Sequence, residues 1–227
     1  LMRVSNTLAR VVLASQKNRR RGKNRPKSIT IDMDPYGDPT HGQQQFTFLN
    51  GCYGQHCYLP QVVTLTFNDE PRQYIISAVL RPGNKGATCL VIPMLNRLLP
   101  LIRNHFPKSR IRFRADSDFR GNPLYEYLER ERIDYVIGLQ PNRVLRRHTA
   151  SIVEGMLEEY EETGGEDVAF EEFPYQAGAW PRERRVVYRI ECPVSWPRKP
   201  DKYRITNMKR TPKNMFAFYQ GRGDMEN

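Results

Sequence analysis

The chain has 227 residues, enough for one substantial core or one core with a modest insertion. Hydrophobic residues make up 39% and aromatics 11%, which excludes a disordered chain, and no run approaches the roughly 18 apolar residues of a membrane span. The net charge of +11 is uneven: residues 1–28 hold nine Lys/Arg and no acid, leaving 27 basic against 25 acidic residues elsewhere.

Within that opening the segment Lys17–Lys27, with Arg19, Arg20 and Arg21 together, has the composition of a phosphate-binding arm. Charge alone supports a solvated linker equally well. No signal-peptide layout precedes it, which predicts a cytoplasmic protein. The start at Leu1 and the stop at Asn227 in mid-pattern read as a fragment cut at both ends. Four cysteines (Cys52, Cys57, Cys89, Cys192) are too few for a disulfide framework in a chain this long. Cys52 and Cys57 stand near His41 and His56, but a zinc site needs a matched second knuckle. Ordinary buried cysteine is the better reading.

Ser28–Asp34 alternates apolar and polar residues and reads as a strand, ended by the turn signal Pro35-Tyr36-Gly37-Asp38-Pro39. Gln44–Leu49, Leu59–Phe67 and Gln73–Leu80 are three more strand-like runs, the last closed by Arg81-Pro82-Gly83. Leu90, Met94, Leu95, Leu98, Leu99 and Ile102 then recur at helical spacing. Pro93 and Pro100 predict a kinked helix or two short ones. Arg110–Asp116 is a strand, Asn122-Pro123 caps a short helix through Leu124, Tyr127 and Leu128, and Ile133–Leu139 is a further strand. The order predicts an α/β fold: a mixed sheet with flanking helices.

Beyond residue 140 the pattern changes. Residues 154–172 hold nine acids and no base, broken by Gly164-Gly165. Residues 180–213 are basic, with strand candidates Arg185–Cys192 and Lys202–Asn207. This is the pattern of a partly β-stranded insertion outside the central sheet. The predicted partition is a basic arm or linker over 1–28, core over 29–140, insertion over 141–207, and a return to the core over 208–227.

Asp34 and Asp116 each end a predicted strand, and functional groups of open α/β sheets gather at strand carboxyl ends. Side by side, the two carboxylates offer the oxygen ligands that Mg²⁺ takes, with room for water and phosphate. By themselves they are as well explained as turn residues. A third element is Tyr219-Gln220-Gly221-Arg222-Gly223-Asp224-Met225-Glu226. On a helix Tyr219, Arg222 and Glu226 fall within an arc of about 60°. Arg grips phosphate and a carboxylate completes a metal site, but Gly221 and Gly223 are poor helix formers, and a solvated helix is the plainer alternative.

Taken in order, the motifs resemble the DDE-type, cut-and-paste transposases of bacterial insertion sequences. The match runs through Ile31-Asp32-Met33-Asp34, Asp38-Pro39-Thr40-His41-Gly42-Gln43, Cys57-Tyr58-Leu59-Pro60 and Leu80-Arg81-Pro82-Gly83. It continues through Arg114-Ala115-Asp116-Ser117-Asp118-Phe119, Asp134–Leu139 with Asn142 beyond, and Arg222–Asn227, thinning across 150–200. The resemblance implies an RNase H-like core in which Asp34, Asp116 and Glu226 bind two Mg²⁺ (or Mn²⁺) ions. It further implies that Tyr219 and Arg222 contact DNA near the scissile phosphate, while Arg19, Arg20 and Arg21 meet backbone phosphate. The reaction implied is cleavage at transposon ends and strand transfer into target DNA, by a nucleoid-associated homodimer in a synaptic complex on double-stranded DNA. Two departures stand out. Asp32 rivals Asp34 as first ligand, and Tyr36 stands where relatives commonly have Thr. The family signature Tyr-x-x-Arg-x-x-x-Glu, matched here by Tyr219, Arg222 and Glu226, continues to a Lys seven residues after the Glu, a position that falls past Asn227. The rivals are another RNase H-like nuclease and an inactive remnant that binds DNA without cutting.

Overall fold

The computed structural model describes residues 2–20, 22–42, 44–51, 53–192 and 202–222. The chain divides into two compact units, one running to Asp134 and taking in Gly221 and Arg222, the other spanning Tyr135–Gln220.

The first unit opens with helix α1 (Met2–Arg19) and strand β1 (Ser28–Pro35), then three short strands, β2 (Asp38–Pro39), β3 (Phe48–Asn50) and β4 (Gln55–Tyr58). It continues with β5 (Gln61–Phe67), β6 (Gln73–Val79), α2 (Val91–His105), β7 (Arg110–Ala115) and α3 (Asn122–Arg130). β1 is central, and its residues Ile29 to Met33 are all buried. A strand buried on both faces lies inside a sheet covered on both sides. β5 runs antiparallel along one side, with Ile31 opposite Leu65, and β6 pairs with β5. β7 runs parallel along the other side, with Ile31 opposite Phe113. A parallel neighbour needs a crossover, which the chain makes through α2.

Helix α2 is a single helix rather than two short ones. Val91, Met94, Leu95, Leu98, Leu99 and Ile102 bury one stripe. At roughly 1.5–3 kcal/mol per buried side chain, that stripe outweighs the ~3 kcal/mol of the interior Pro100. Pro93 falls in the first turn, where its missing N–H costs nothing.

The opening is not a free arm. Ser5, Ala9, Leu13 and Gln16, spaced one helical turn apart, bury one face of α1 against β6 and α2. Ser5 shares a hydrogen bond with Ser77 of β6, and Arg97 Nη2 of α2 donates to Asn6 Oδ1 at 2.8 Å. The excess of Lys and Arg hid this four-residue period. Arg20, just past the helix, pairs with Glu70 and lies 4.7 Å over the Phe67 ring.

The expected strand over 44–49 forms only from Phe48, because Phe46 adopts a left-handed backbone (φ 66°) that interrupts an extended run. The short strands make a separate sheet in the order β2-β4-β3. Asn50 Nδ2 of β3 donates to the Gly83 carbonyl at 2.7 Å, and nearby Arg81, buried to 1% exposure, donates to the carbonyls of Leu59, Gly86 and Cys89. A Cβ on Gly83 would stand 2.1 Å from the Cys57 carbonyl oxygen and 2.8 Å from that of Phe48.

The second unit contains β8 (Asp134–Leu139, entering from the last residue of the first unit), α4 (Arg143–Thr163), β9 (Asp167–Tyr175), β10 (Arg184–Cys192), β11 (Lys202–Thr206) and α5 (Pro212–Gln220). Its strands are antiparallel in the order β8-β11-β10-β9. The acidic stretch 154–172 is the second half of α4 and the start of β9. Asn142 Oδ1 caps α4 by accepting from Val144 and Leu145 N–H at 2.9 Å, and Gly164 ends it at φ 66°. Leu139, Leu145, Met156, Val186, Tyr188 and Tyr203 form one core cluster, and Val136, Val187, Met215, Phe216 and Phe218 another.

The strand candidates Arg185–Cys192 and Lys202–Asn207 were expected to lie outside the central sheet that holds 133–139, with breaks at 140/141 and 207/208. Instead β11 pairs directly with β8, Ile205 opposite Ile137, and the units divide at 134/135 and 220/221. Tyr135, Val136 and Ile137 are all fully buried, so β8 needs a paired neighbour. Among the described residues no helix is long and apolar enough to cross a membrane.

Two stability predictions follow from these contacts. Gly83→Ala should cost about 1–3 kcal/mol or more, because the crowding atoms are backbone, while Gly86→Ala, with open space around it, should be near neutral. Thermal unfolding of the two variants side by side measures this. Separately, Arg20 holds the Glu70 carboxyl below its ordinary value, mainly by hydrogen bonding. A lowered acid contributes stability above its unfolded pKa and loses it as pH falls through the folded one. Glu70→Gln should therefore lower stability above about pH 4.3 and approach the parent below it, as read by urea titrations across pH.

Candidate active site

The parallel register puts Asp32 opposite Arg114. Two residues further along each strand, Asp34 and Asp116 reach the same level at the carboxyl ends of β1 and β7. Side chains alternate along a strand, so Asp32 and Asp34 share one face at different depths.

Asp32 is the deeper. It has no solvent exposure, and its two oxygens accept from Arg114 Nε at 2.7 Å and Nη2 at 2.8 Å. Burial pushes its carboxyl up from the ordinary range, opposed by those two hydrogen bonds. Arg112, one alternation earlier on β7, is likewise buried and holds Asp69 through Nη1 at 3.2 Å and Nη2 at 2.6 Å. Ile111, Phe113 and Ala115 of the same strand are buried. The two arginines between them are buried as well, because each guanidinium meets a carboxylate.

Arg114 has a second role. Its Nη2 donates to the Gly221 carbonyl at 3.2 Å, and Gln73 Nε2 donates to the same oxygen at 3.1 Å. The backbone is thereby anchored one residue before Arg222. Arg222 Nη2 donates to Asp34 Oδ2 at 3.1 Å and lies 3.7 Å from Asp116 Oδ2. One guanidinium therefore touches both strand-end aspartates, with side-chain exposures of 12% for Arg222, 18% for Asp34 and 28% for Asp116. Asp116 is also fixed from behind, since its Oδ1 accepts from Asp118 N–H at 2.8 Å and caps a short turn. Partial burial raises its carboxyl above the ordinary range, opposed by that backbone bond and by Arg222.

Helix α5 ends at Gln220, so Arg222 lies past the helix rather than sharing a helical face with Tyr219. Gly221 is the physical reason, having no side chain to favour continuation. Tyr219 belongs to the second unit, where its ring lies 4.0 Å from the Arg204 guanidinium, a cation–π contact. Glu226 lies outside the described residues, as does Arg21. Arg19 is exposed at the end of α1, whereas Arg20 is committed to Glu70 and Phe67. Arg19, Arg25 and Lys27 line a cavity of about 740 Å³ beside Asp69 and Glu70. A second cavity of about 500 Å³, lined by Lys17, Arg25, His105 and Lys108, has no acid in its wall. Both lie where β1 and β7 begin, at the opposite end of these strands from Asp34 and Asp116.

Over residues 6–227 the chain matches the family described as Transposase DDE domain group 1. It belongs to that family. No curated protein matches it. Among solved structures it is similar to a piggyBac transposase, described as a synaptic complex with hairpin DNA, at 13% identity and a TM-score of 0.48. The similarity covers 87% of this chain and 38% of that one, so this transposase domain spans well under half of that chain's length.

Transposase domains of the DDE type are generally dependent on divalent metals. Among the described residues no three acidic, His or Cys side chains form a metal-holding group. The Asp34–Asp116 pair nonetheless suits such an ion. It offers hard oxygen donors, partly open to solvent, in a place where the structure already sets a cation against both.

The buried pair beneath this site is testable. Arg114→Met should leave Asp32 uncompensated and lose about 3–5 kcal/mol, with Asp32→Asn and Arg114→Met together recovering part of the loss. The urea midpoints of the two variants and the parent decide it. Equal midpoints for Arg114→Met and the parent would refute this role.

Proposed function

We propose that the chain is the catalytic part of a cut-and-paste DNA transposase of the bacterial insertion-sequence type, cleaving at transposon ends and joining them to target DNA. One observation carries this reading: two aspartates at the ends of adjacent parallel strands, bridged by a guanidinium within 4 Å of both. Membership of the DDE transposase family supports it.

Asp34 and Asp116 are the proposed ligands of two Mg²⁺ or Mn²⁺ ions, with Glu226 as the third carboxylate. Asp32 is set aside because both its oxygens are committed to Arg114 and it has no exposure. When bound, such ions activate an attacking water and stabilise the leaving 3′ oxygen. The protein's own part is to orient. Asp116 is held by Asp118 N–H, Asp34 by its position on β1, and Arg222 by the anchored Gly221 carbonyl. Arg222, with its planar fork, is the proposed grip on the phosphate beside the cut, and Tyr219 a further DNA contact. Exposed Arg19, Lys17, Arg25 and Lys108 would meet duplex backbone away from the cut, fixing position without reading sequence.

The experiment is nicking of a supercoiled plasmid carrying the element's ends, in Mg²⁺, by the parent and by Asp34→Asn and Asp116→Asn. Each substitution should lower cleavage by at least about a hundredfold while leaving duplex binding in EDTA intact. Cleavage at the parent rate by either variant would overturn the reading. So would a parent protein whose nicking is indifferent to EDTA.

A further inference from the structure

Resting on the reading that Asp34 and Asp116 take a divalent cation, we propose that Arg222 is an internal counter-ion that closes the carboxylate pair until a DNA phosphodiester draws the guanidinium away, so that DNA and metal load cooperatively.

The argument begins with space. Arg222 Nη2 lies 3.1 Å from Asp34 Oδ2 and 3.7 Å from Asp116 Oδ2. A Mg²⁺ ion shared by these carboxylates would sit roughly 2.1 Å from an oxygen of each and would carry its own waters. That volume is already taken by the guanidinium, so the two cations exclude each other by overlap as well as by like charge. Asp116 has little freedom to retreat, because its other oxygen caps the following turn. For a cation to enter between the carboxylates, the group that must give way is the arginine.

The Gly221 carbonyl is held by Arg114 and Gln73, so the displacement proposed for Arg222 is one of its long side chain and not of the backbone before it. A swing in solvent alone gains nothing, because it exchanges a partly buried pair of carboxylates for water. A phosphodiester offers a replacement anion that matches the guanidinium fork. Once Arg222 turns to phosphate, Asp34 and Asp116 lose their counter-ion next to an incoming anion, and divalent cations become the groups that restore charge balance. Linkage makes the effect reciprocal: whatever DNA does for metal affinity, metal does for DNA affinity.

A merely structural ion pair would behave differently. Its removal would cost stability and leave metal affinity unchanged or weaker. Under the proposal, removal frees the carboxylates.

The test is Mn²⁺ binding to the full chain without DNA, followed by the electron-paramagnetic-resonance signal of the free ion, for the parent, Arg222→Gln and Arg222→Lys. Arg222→Gln should bind Mn²⁺ at least about fivefold more tightly than the parent, with Arg222→Lys between them, since a lysine keeps the charge without the fork. In parallel, the anisotropy of a labelled duplex should show Ca²⁺ tightening DNA binding by the parent, with the tightening lost in Arg222→Gln. Equal or weaker Mn²⁺ binding by folded Arg222→Gln would overturn the counter-ion role. If Arg222→Gln does not fold, parental affinity in Arg222→Lys does the same. Mn²⁺ binding that survives Asp34→Asn with Asp116→Asn would instead overturn the metal-site reading on which the proposal rests.

Discussion

The Asp32–Arg114 pair lies beneath everything the site does. Two full charges in a dry interior are costly, and their attraction compensates only when the geometry is close and the remaining hydrogen-bonding groups are used. Here both Asp32 oxygens are taken, and the same guanidinium that holds them reaches on to the Gly221 carbonyl. An isolated hydrophobic pair at these positions would pack as well and specify less. It would leave β1 and β7 free of a charge match and the segment before Arg222 without its anchor. The pair therefore ties three stretches distant in sequence to one point, around residues 32, 114 and 221.

Depth along one strand explains why identical side chains take different roles. Asp32 and Asp34 are two residues apart, roughly 6.6 Å along the strand. The first is sealed and the second opens at the strand end, and Asp116 opens at the same level on the parallel neighbour. A carboxylate inside the sheet must be paired permanently, whereas one at the mouth can exchange partners. Parallel pairing is what aligns the two mouths, and it exists because α2 carries the chain back to start β7 beside the beginning of β1. The stripe of leucines on α2 thus serves the site, although none of them touches it.

Much of this was legible in the sequence, for physical reasons that also mark where it was not. Strands β1 and β7 announce themselves through alternation, and family motifs lie at their carboxyl ends. The helix α1 was masked because nine cations drew the reading toward solvent, while its buried face is Ser5, Ala9, Leu13 and Gln16, only one of them strongly apolar. Arg112 and Arg114 were passed over because a buried arginine is recognisable only with its partner in view, and Asp69 lies 43 residues from Arg112. The Asp32–Asp34 ambiguity has the same origin: nothing local distinguishes them, and only the register against Arg114 does. The pairing of β11 with β8 was missed because composition changes at residue 140, and a change of charge is not a change of sheet.

Charge has to be considered on two scales. The whole chain is strongly basic, a balance that attracts polyanions at long range. At the strand ends the balance reverses, since two carboxylates face one guanidinium. A phosphate drawn in by the long-range field therefore meets a short-range barrier at the place where cleavage is proposed. Arg222 offsets one of the two negative charges and cannot offset both. A divalent cation on the same two carboxylates would cancel their charge. An arginine in that notch therefore does two jobs of opposite sense. It keeps two adjacent carboxylates from repelling each other while the site is empty, and it yields the notch when an anion gives it somewhere better to go.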